Sequence, residues 1–175
     1  SLVLVNLTNS GLTDVKLPDS DDLAELILDK NNLTDIDLSR YASQLRMLSL
    51  NNNLLTSFDA SNMQNLLSLA IANNQLTSLK LANPDMYNLE ASGNQLTDID
   101  LSKNKGLSQL FLSNNQLEHI DIKPLRSIVA LHIDYNKFRI STLPILKNVS
   151  SYQYANQANI LVSADENGVV DLSAE

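Results

Sequence analysis

The chain has 175 residues, a formal net charge of −8, 43% hydrophobic residues and no cysteine. This acidity disfavours nucleic acid and anionic membrane surfaces as partners, and without thiols there is no disulfide framework or thiolate metal centre. The longest apolar stretches, such as residues 127–133, are far too short to span a bilayer.

From Leu2 onward one pattern recurs. Written LxxLxLxxNxLTxLxL, it is clearest in LAELILDKNNLTDIDL at residues 23–38. Its units start at Leu2, Leu23, Leu45, Leu66, Met86, Leu107, Ile128 and, in degenerate form, Val149. Steps of 20 to 22 residues, mostly 21, specify a repeat architecture, and this pattern is the leucine-rich-repeat signature. Stacked repeats need no single central core, because each unit covers the apolar face of the next. Seven full repeats are expected over residues 1–149, with a degenerate eighth unit and a C-terminal cap over 150–175. No leader segment precedes Ser1, so the sequence reads as a piece of a longer protein.

Within a unit, the alternation around the fourth and sixth positions has period two and marks a short strand. In the second unit Leu26 and Leu28 point inward, while Glu25, Ile27 and Asp29 point out. One strand per turn makes a parallel, concave sheet of eight strands, roughly 34 Å long at about 4.8 Å per strand. Next comes an asparagine column, Asn31, Asn53, Asn74, Asn94, Asn115 and Asn136, opened by Ser10 and closed by Gln157. A buried amide must be hydrogen-bonded and carries both donors and an acceptor for backbone at a turn, so the column is structural. Asn73, beside it, is read as an outward position at which alanine is nearly neutral. In the following LTxLxL segment the apolar residues are again two apart, as at Ile36 and Leu38, which predicts an extended return. The fold expected is a right-handed leucine-rich-repeat solenoid with a parallel concave β-sheet and a mostly extended, non-helical convex side.

Three outward columns follow from the register. The central one runs Asn6, Ile27, Ser49, Ala70, Glu90, Phe111, His132 and Gln153. Glu25, Met47, Asn88 and Gln109 lie on one side of it, and Asp29, Ser113 and Asp134 on the other. Repeats tolerate variety only where side chains leave the stack, so recognition is expected here. The candidate binding residues are Glu25, Ile27, Met47, Ser49, Asn88, Glu90, Gln109, Phe111, His132, Asp134 and Tyr135. His132 and Asp134 share a strand face, but no nucleophile completes a catalytic site. The return-side acids Asp14, Asp35, Asp37, Asp59, Asp98, Asp100 and Asp121 converge too little to enclose calcium and read as a solvated stripe. His119 reads as a solvated return-side residue. No enzyme activity, cofactor or metal is expected.

The repeated NxLTxLDLS, as in the segment ending at Ser102, has a distinctive partner at the C-terminus. It reads NKFRISTLP (Asn136 to Pro144), YQYANQA (Tyr152 to Ala158) and DENGVVDLS (Asp165 to Ser173). These motifs resemble the bacterial 21-residue class of leucine-rich repeat, internalin-like in the broad sense, over roughly residues 2–172. The period and the xLxL return differ from internalin-type repeats of 22 residues with a convex 3₁₀ helix. The Leu-Pro-x-Leu-Pro signature of secreted ubiquitin-ligase effectors is missing. The resemblance implies a cap that closes the solenoid before a following domain, with Asn156 where proline is usual and Arg139 where threonine is usual. It also implies an exported, extracellular or surface-bound bacterial protein that binds other molecules or serves as an adhesion module. The ligand expected is a protein or glycan; the charge and the short apolar runs predict no nucleic-acid or membrane-inserting role, and a monomer is expected. Alternatives are a spacer that presents a neighbouring domain and a targeting module of a larger enzyme.

Overall fold

The computed structural model of the protein describes residues 3–146 and 149–158. Ten strands of three residues each make up its regular structure, with 3₁₀ turns at Ser39–Tyr41 and Ile140–Thr142. Eight strands form one parallel sheet: β1 (Leu4–Asn6), β2 (Glu25–Ile27), β3 (Met47–Ser49), β5 (Ser68–Ala70), β7 (Asn88–Glu90), β8 (Gln109–Phe111), β9 (Ala130–His132) and β10 (Ser151–Gln153). On the return side β4 (Ser57–Asp59) pairs with β6 (Ser78–Lys80), also in parallel. The expected register holds at every pairing, from Val5 opposite Leu26 to Leu131 opposite Tyr152. The chain is thus a leucine-rich-repeat solenoid with a parallel sheet and almost no helix. Among the described residues, no helix is long and apolar enough to cross a membrane.

Identical aliphatic positions stack because each rung must close the one before it. Leu26, Leu48, Leu69, Leu89, Leu110 and Leu131 are fully buried, and so are Leu33, Leu55, Leu76, Leu96 and Leu117. Removing one such side chain from water stabilises the fold by about 1.5–3 kcal/mol. The polar column runs beside them. Asn74 donates from Nδ2 to the carbonyls of Ile71 (3.2 Å) in its own rung and Leu50 (3.0 Å) in the preceding one. Its Oδ1 accepts the Leu55 N–H at 3.0 Å. Asn31, Asn53, Asn94, Asn115 and Asn136 repeat this clamp. Gln157 reproduces it with one more methylene, through Ile133 O (3.0 Å) and Phe138 N (3.1 Å).

The residue before each clamp is left-handed. Asn9, Lys30, Asn52, Asn73, Gly93, Asn114, Tyr135 and Asn156 have φ between 53° and 69°. The expectation of a nearly neutral alanine at Asn73 is therefore wrong: its φ is 54°, a conformation in which a Cβ crowds the following carbonyl. Asparagine tolerates it, and here the Asn73 amide also donates to Asn52 Oδ1 at 3.3 Å. Glycine is free of the penalty at Gly93 (φ 69°), where an added Cβ would lie 2.4 Å from Asn73 Oδ1. Gly93→Ala is expected to lose about 1–2 kcal/mol, read as a lower urea midpoint with an unchanged slope.

The return-side acids have a local job. Asp37, Asp59, Asp100 and Asp121 each accept the backbone N–H two residues on, at 2.9–3.0 Å, closing the corner after their own return segments. Hydrogen bonds from Ser39, Ser61 and Ser102 hold the carboxyls of Asp37, Asp59 and Asp100 below the ordinary carboxylate range. The stripe is exposed, as expected, but these members are turn-formers rather than merely solvated. His119 is exposed too, 3.8 Å from Asp98.

At the C-terminal end, β10 continues the sheet, the Tyr152 hydroxyl donates to Pro144 O at 2.8 Å, and the Tyr152 and Tyr154 rings lie 4.8 Å apart. The remainder of the expected cap, residues 159–175, lies outside the described residues.

Candidate recognition surface

Three-residue strands set one side chain inward between two outward ones, and parallel register lines the outward ones up across rungs. Glu90, Phe111 and His132 are therefore neighbours on β7, β8 and β9. The Phe111 and His132 rings meet edge to face, with centroids 4.8 Å apart and planes at 78°. His132 Nε2 is 2.7 Å from Ser151 Oγ. The Glu90 carboxylate accepts the Ser92 N–H at 2.9 Å, which leaves its second oxygen for other partners. Asn88 and Gln109 flank this column on the adjacent strand positions, and Asn88 donates to Ser68 Oγ at 3.0 Å.

The candidate residues fall into two groups. Glu25, Ile27, Met47 and Ser49 sit on β2 and β3. Between them and the Glu90 column lies β5, whose outward residues Ser68 and Ala70 are small, with Ala72 just beyond. The small residues of β5 thus separate an apolar patch at Ile27 and Met47 from an aromatic one at Phe111. Met47 is 37% exposed, more than a packed side chain needs. Ser49 is tied up locally, donating to Asp29 at 2.7 Å and accepting from Asn51 at 3.0 Å.

His132 and Asp134, which share a strand face, do not bond each other. The imidazole bonds Ser151 on the next rung, and the Asp134 carboxylate takes the hydroxyl of Ser113 on the previous one. No oriented base results. Tyr135 lies beyond the end of β9, in left-handed backbone (φ 54°), with its side chain 52% exposed. It borders a groove of about 410 Å³ with Asp134, Tyr152, Gln153, Tyr154 and Asn156. Sequence reading missed Ser151 as the partner of His132, although its place opposite Ala130 follows from the register. It also missed a second buried amide pair, Asn83 and Asn104, 21 residues apart, with the Asn104 amide donating to Asn83 O at 3.2 Å. Among the described residues, no group of three His, Cys, Asp or Glu side chains is placed to hold a metal ion.

No protein-family model matches the sequence, and no curated protein matches it. Solved structures do. The functional domain of InlJ from Listeria monocytogenes is 24% identical with a TM-score of 0.60, over 78% of this chain and 35% of that one. That domain includes a cysteine ladder, whereas the present chain has no cysteine. The internalin InlF of Listeria monocytogenes is 22% identical with a TM-score of 0.64, over 79% of this chain and 50% of that one. A leucine-rich-repeat protein of Leptospira interrogans is 22% identical with a TM-score of 0.55, over 85% of this chain and 53% of that one. The chain spans from about a third to about half of the length of these proteins. Despite its 21-residue period, it has the leucine-rich-repeat solenoid fold of these bacterial internalins and their Leptospira counterpart.

Proposed function

We propose that this chain is the non-enzymatic binding module of an exported bacterial protein and that it takes a protein ligand on the C-terminal half of its concave face. The observation that carries the reading is the Glu90–Phe111–His132 column. It is the place on the sheet where an acid, an aromatic ring and an imidazole occupy adjacent rungs, all partly open to solvent. Aromatic anchors surrounded by polar groups are what interfaces concentrate. The internalin neighbours support a protein-binding class and an extracellular or surface location, but their likeness extends to fold alone.

The test uses the immobilised chain against a panel of extracellular proteins and an array of glycans. For any partner retained, Phe111→Ala with His132→Ala is expected to weaken binding at least about tenfold, or 1.4 kcal/mol. The melting temperature should fall only modestly, through the lost ring contact and the Ser151 bond, since neither side chain belongs to the buried aliphatic core. Asp98→Ser with Asp100→Ser on the return side is the control. A control that abolishes binding while the concave pair does not would move recognition to the other face. Retention of glycans alone, with the loss in the Phe111 and His132 double variant, would keep the face and change the ligand class. A chain that retains nothing favours the spacer reading.

A further inference from the structure

The negative charge of this protein is unevenly spread. Residues 1–75 carry nine Asp and Glu against four Lys and Arg, whereas residues 76–146 carry seven of each. Within the second stretch Lys103, Lys105 and Arg126 line one groove of about 490 Å³, together with Gln64, Ala82, Pro84 and Ser102. All three cations are exposed. Among the described residues, none of them is within 4.0 Å of a carboxylate, whereas Arg40 has two such partners, Asp19 and Asp21, and Lys80 has one, Asp59. Asp100, which interacts electrostatically with Lys103, has its carboxylate engaged by Ser102.

The repeat builds this groove. Gln64, Pro84, Lys105 and Arg126 occupy one position, two residues ahead of the repeat starts at Leu66, Met86, Leu107 and Ile128. Backbone bonds lock these loops together: Gly106 N to Pro84 O at 2.9 Å and Arg126 N to Lys105 O at 3.2 Å. Gly106 permits the close approach, since an added Cβ would lie 2.7 Å from Pro84 O. Lys105 and Arg126 are thereby one rung apart, about 5 Å along the solenoid, with Pro84 and Ala82 as an apolar floor beside them.

We propose that this groove, separate from the concave face, binds a sulfated polysaccharide segment. Sulfate esters meet Lys103, Lys105 and Arg126, and a sugar ring lies on Pro84 and Ala82. The surroundings select this chemistry over other polyanions. An acidic peptide finds little main-chain partnership there, because the Gly106 and Arg126 N–H groups and the Pro84 and Lys105 carbonyls are already used by the stack. Nucleic acid finds no aromatic side chain lining the groove on which a base would stack. A membrane would bring a flat anionic surface against the acidic N-terminal rungs as well, which repel it, whereas a single polysaccharide strand reaches the groove alone.

The test measures binding of the whole chain to labelled dextran sulfate at about 50 mM and about 300 mM salt. Uncharged dextran, polyglutamate and phosphatidylglycerol vesicles serve as comparison probes. Dextran sulfate is expected to bind at low salt, to weaken at high salt, and to lose roughly tenfold in affinity in the Lys103→Gln, Lys105→Gln, Arg126→Gln variant. Lys16→Gln, Arg46→Gln, Lys137→Gln changes the net charge equally, elsewhere, and should bind as the parent does. Lys103→Arg with Lys105→Arg keeps the charge and should retain binding, which separates a lost ligand contact from a damaged fold. Equal losses in both triple variants, no binding by the parent, or equal binding of polyglutamate or vesicles would each overturn the proposal.

Discussion

Deleting residues 150–175 is expected to abolish the single cooperative unfolding transition and to produce aggregation. Leu131 and Ile133 are completely buried. The last rung does part of that covering: β10 pairs along the whole of β9, and Gln157 donates to Ile133 O at 3.0 Å. Without that rung two aliphatic side chains face water, each losing about 1.5–3 kcal/mol of burial. The row of β9 backbone groups that now pairs with β10 becomes an open parallel edge, a template for a second molecule. A point substitution weakens one rung interface, but the deletion removes one and leaves its partner uncovered, and solenoid stability is a sum over such interfaces. Loss of signal on heating should begin roughly 10 °C or more below the parent's midpoint, at about 2–4 °C per kcal/mol for a chain of this size. Light scattering should rise before the transition completes. A truncated protein that stays monomeric and melts within about 3 °C of the parent would show that the segment covers nothing essential.

What was legible in the sequence is what had to repeat. Leu26, Leu48, Leu69, Leu89, Leu110 and Leu131 occupy one position, so their shared identity reports the stack, and every outward column follows by counting from them. The left-handed column was harder. Five of its eight members are asparagine and one is glycine, which is a usable signal, but Lys30 and Tyr135 adopt the same conformation and obscure it. The acids of the return side hid a rule in plain spacing: a serine follows Asp37, Asp59 and Asp100 by two residues, and in each case its N–H is the one the carboxylate accepts. His132 and Asp134 share a strand face and still do not bond each other, for a reason general to solenoids. A neighbour 19 to 21 residues away sits one rung off, as near as the residue two positions along the same strand, so sequence proximity ranks partners badly. Ser151 and Ser113 won on geometry. The groove at Lys105 and Arg126 was invisible because net charge averages over the chain, and no residue type there repeats.

Asn74→Ala and Asn73→Ala are adjacent substitutions expected to destabilise for different reasons, and glycine tells them apart. The Asn74 side chain is buried and serves four backbone groups: it donates to Leu50 O, Ile71 O and Ala72 O and accepts from Leu55 N. Alanine leaves these without that partner in a turn closed to water, a loss on the order of 1–3 kcal/mol. Asn73 is exposed, and its main contribution is tolerance of φ 54°. Alanine there loses about 1–2 kcal/mol to the crowded Cβ. Asn73→Gly removes the Cβ and gives up only the 3.3 Å bond to Asn52, so it should melt near the parent. Asn74→Gly restores no hydrogen bond and should be at least as damaging as Asn74→Ala. Gln75→Ala, exposed and outside both columns, should stay within about 0.5 kcal/mol of the parent. Thermal and urea unfolding of the five variants decide the matter. If glycine rescues position 74 as well as position 73, backbone conformation rather than amide bonding holds the ladder. If glycine at 73 is as harmful as alanine there, the exposed amide ladder between Asn52 and Asn73 matters more than its geometry implies.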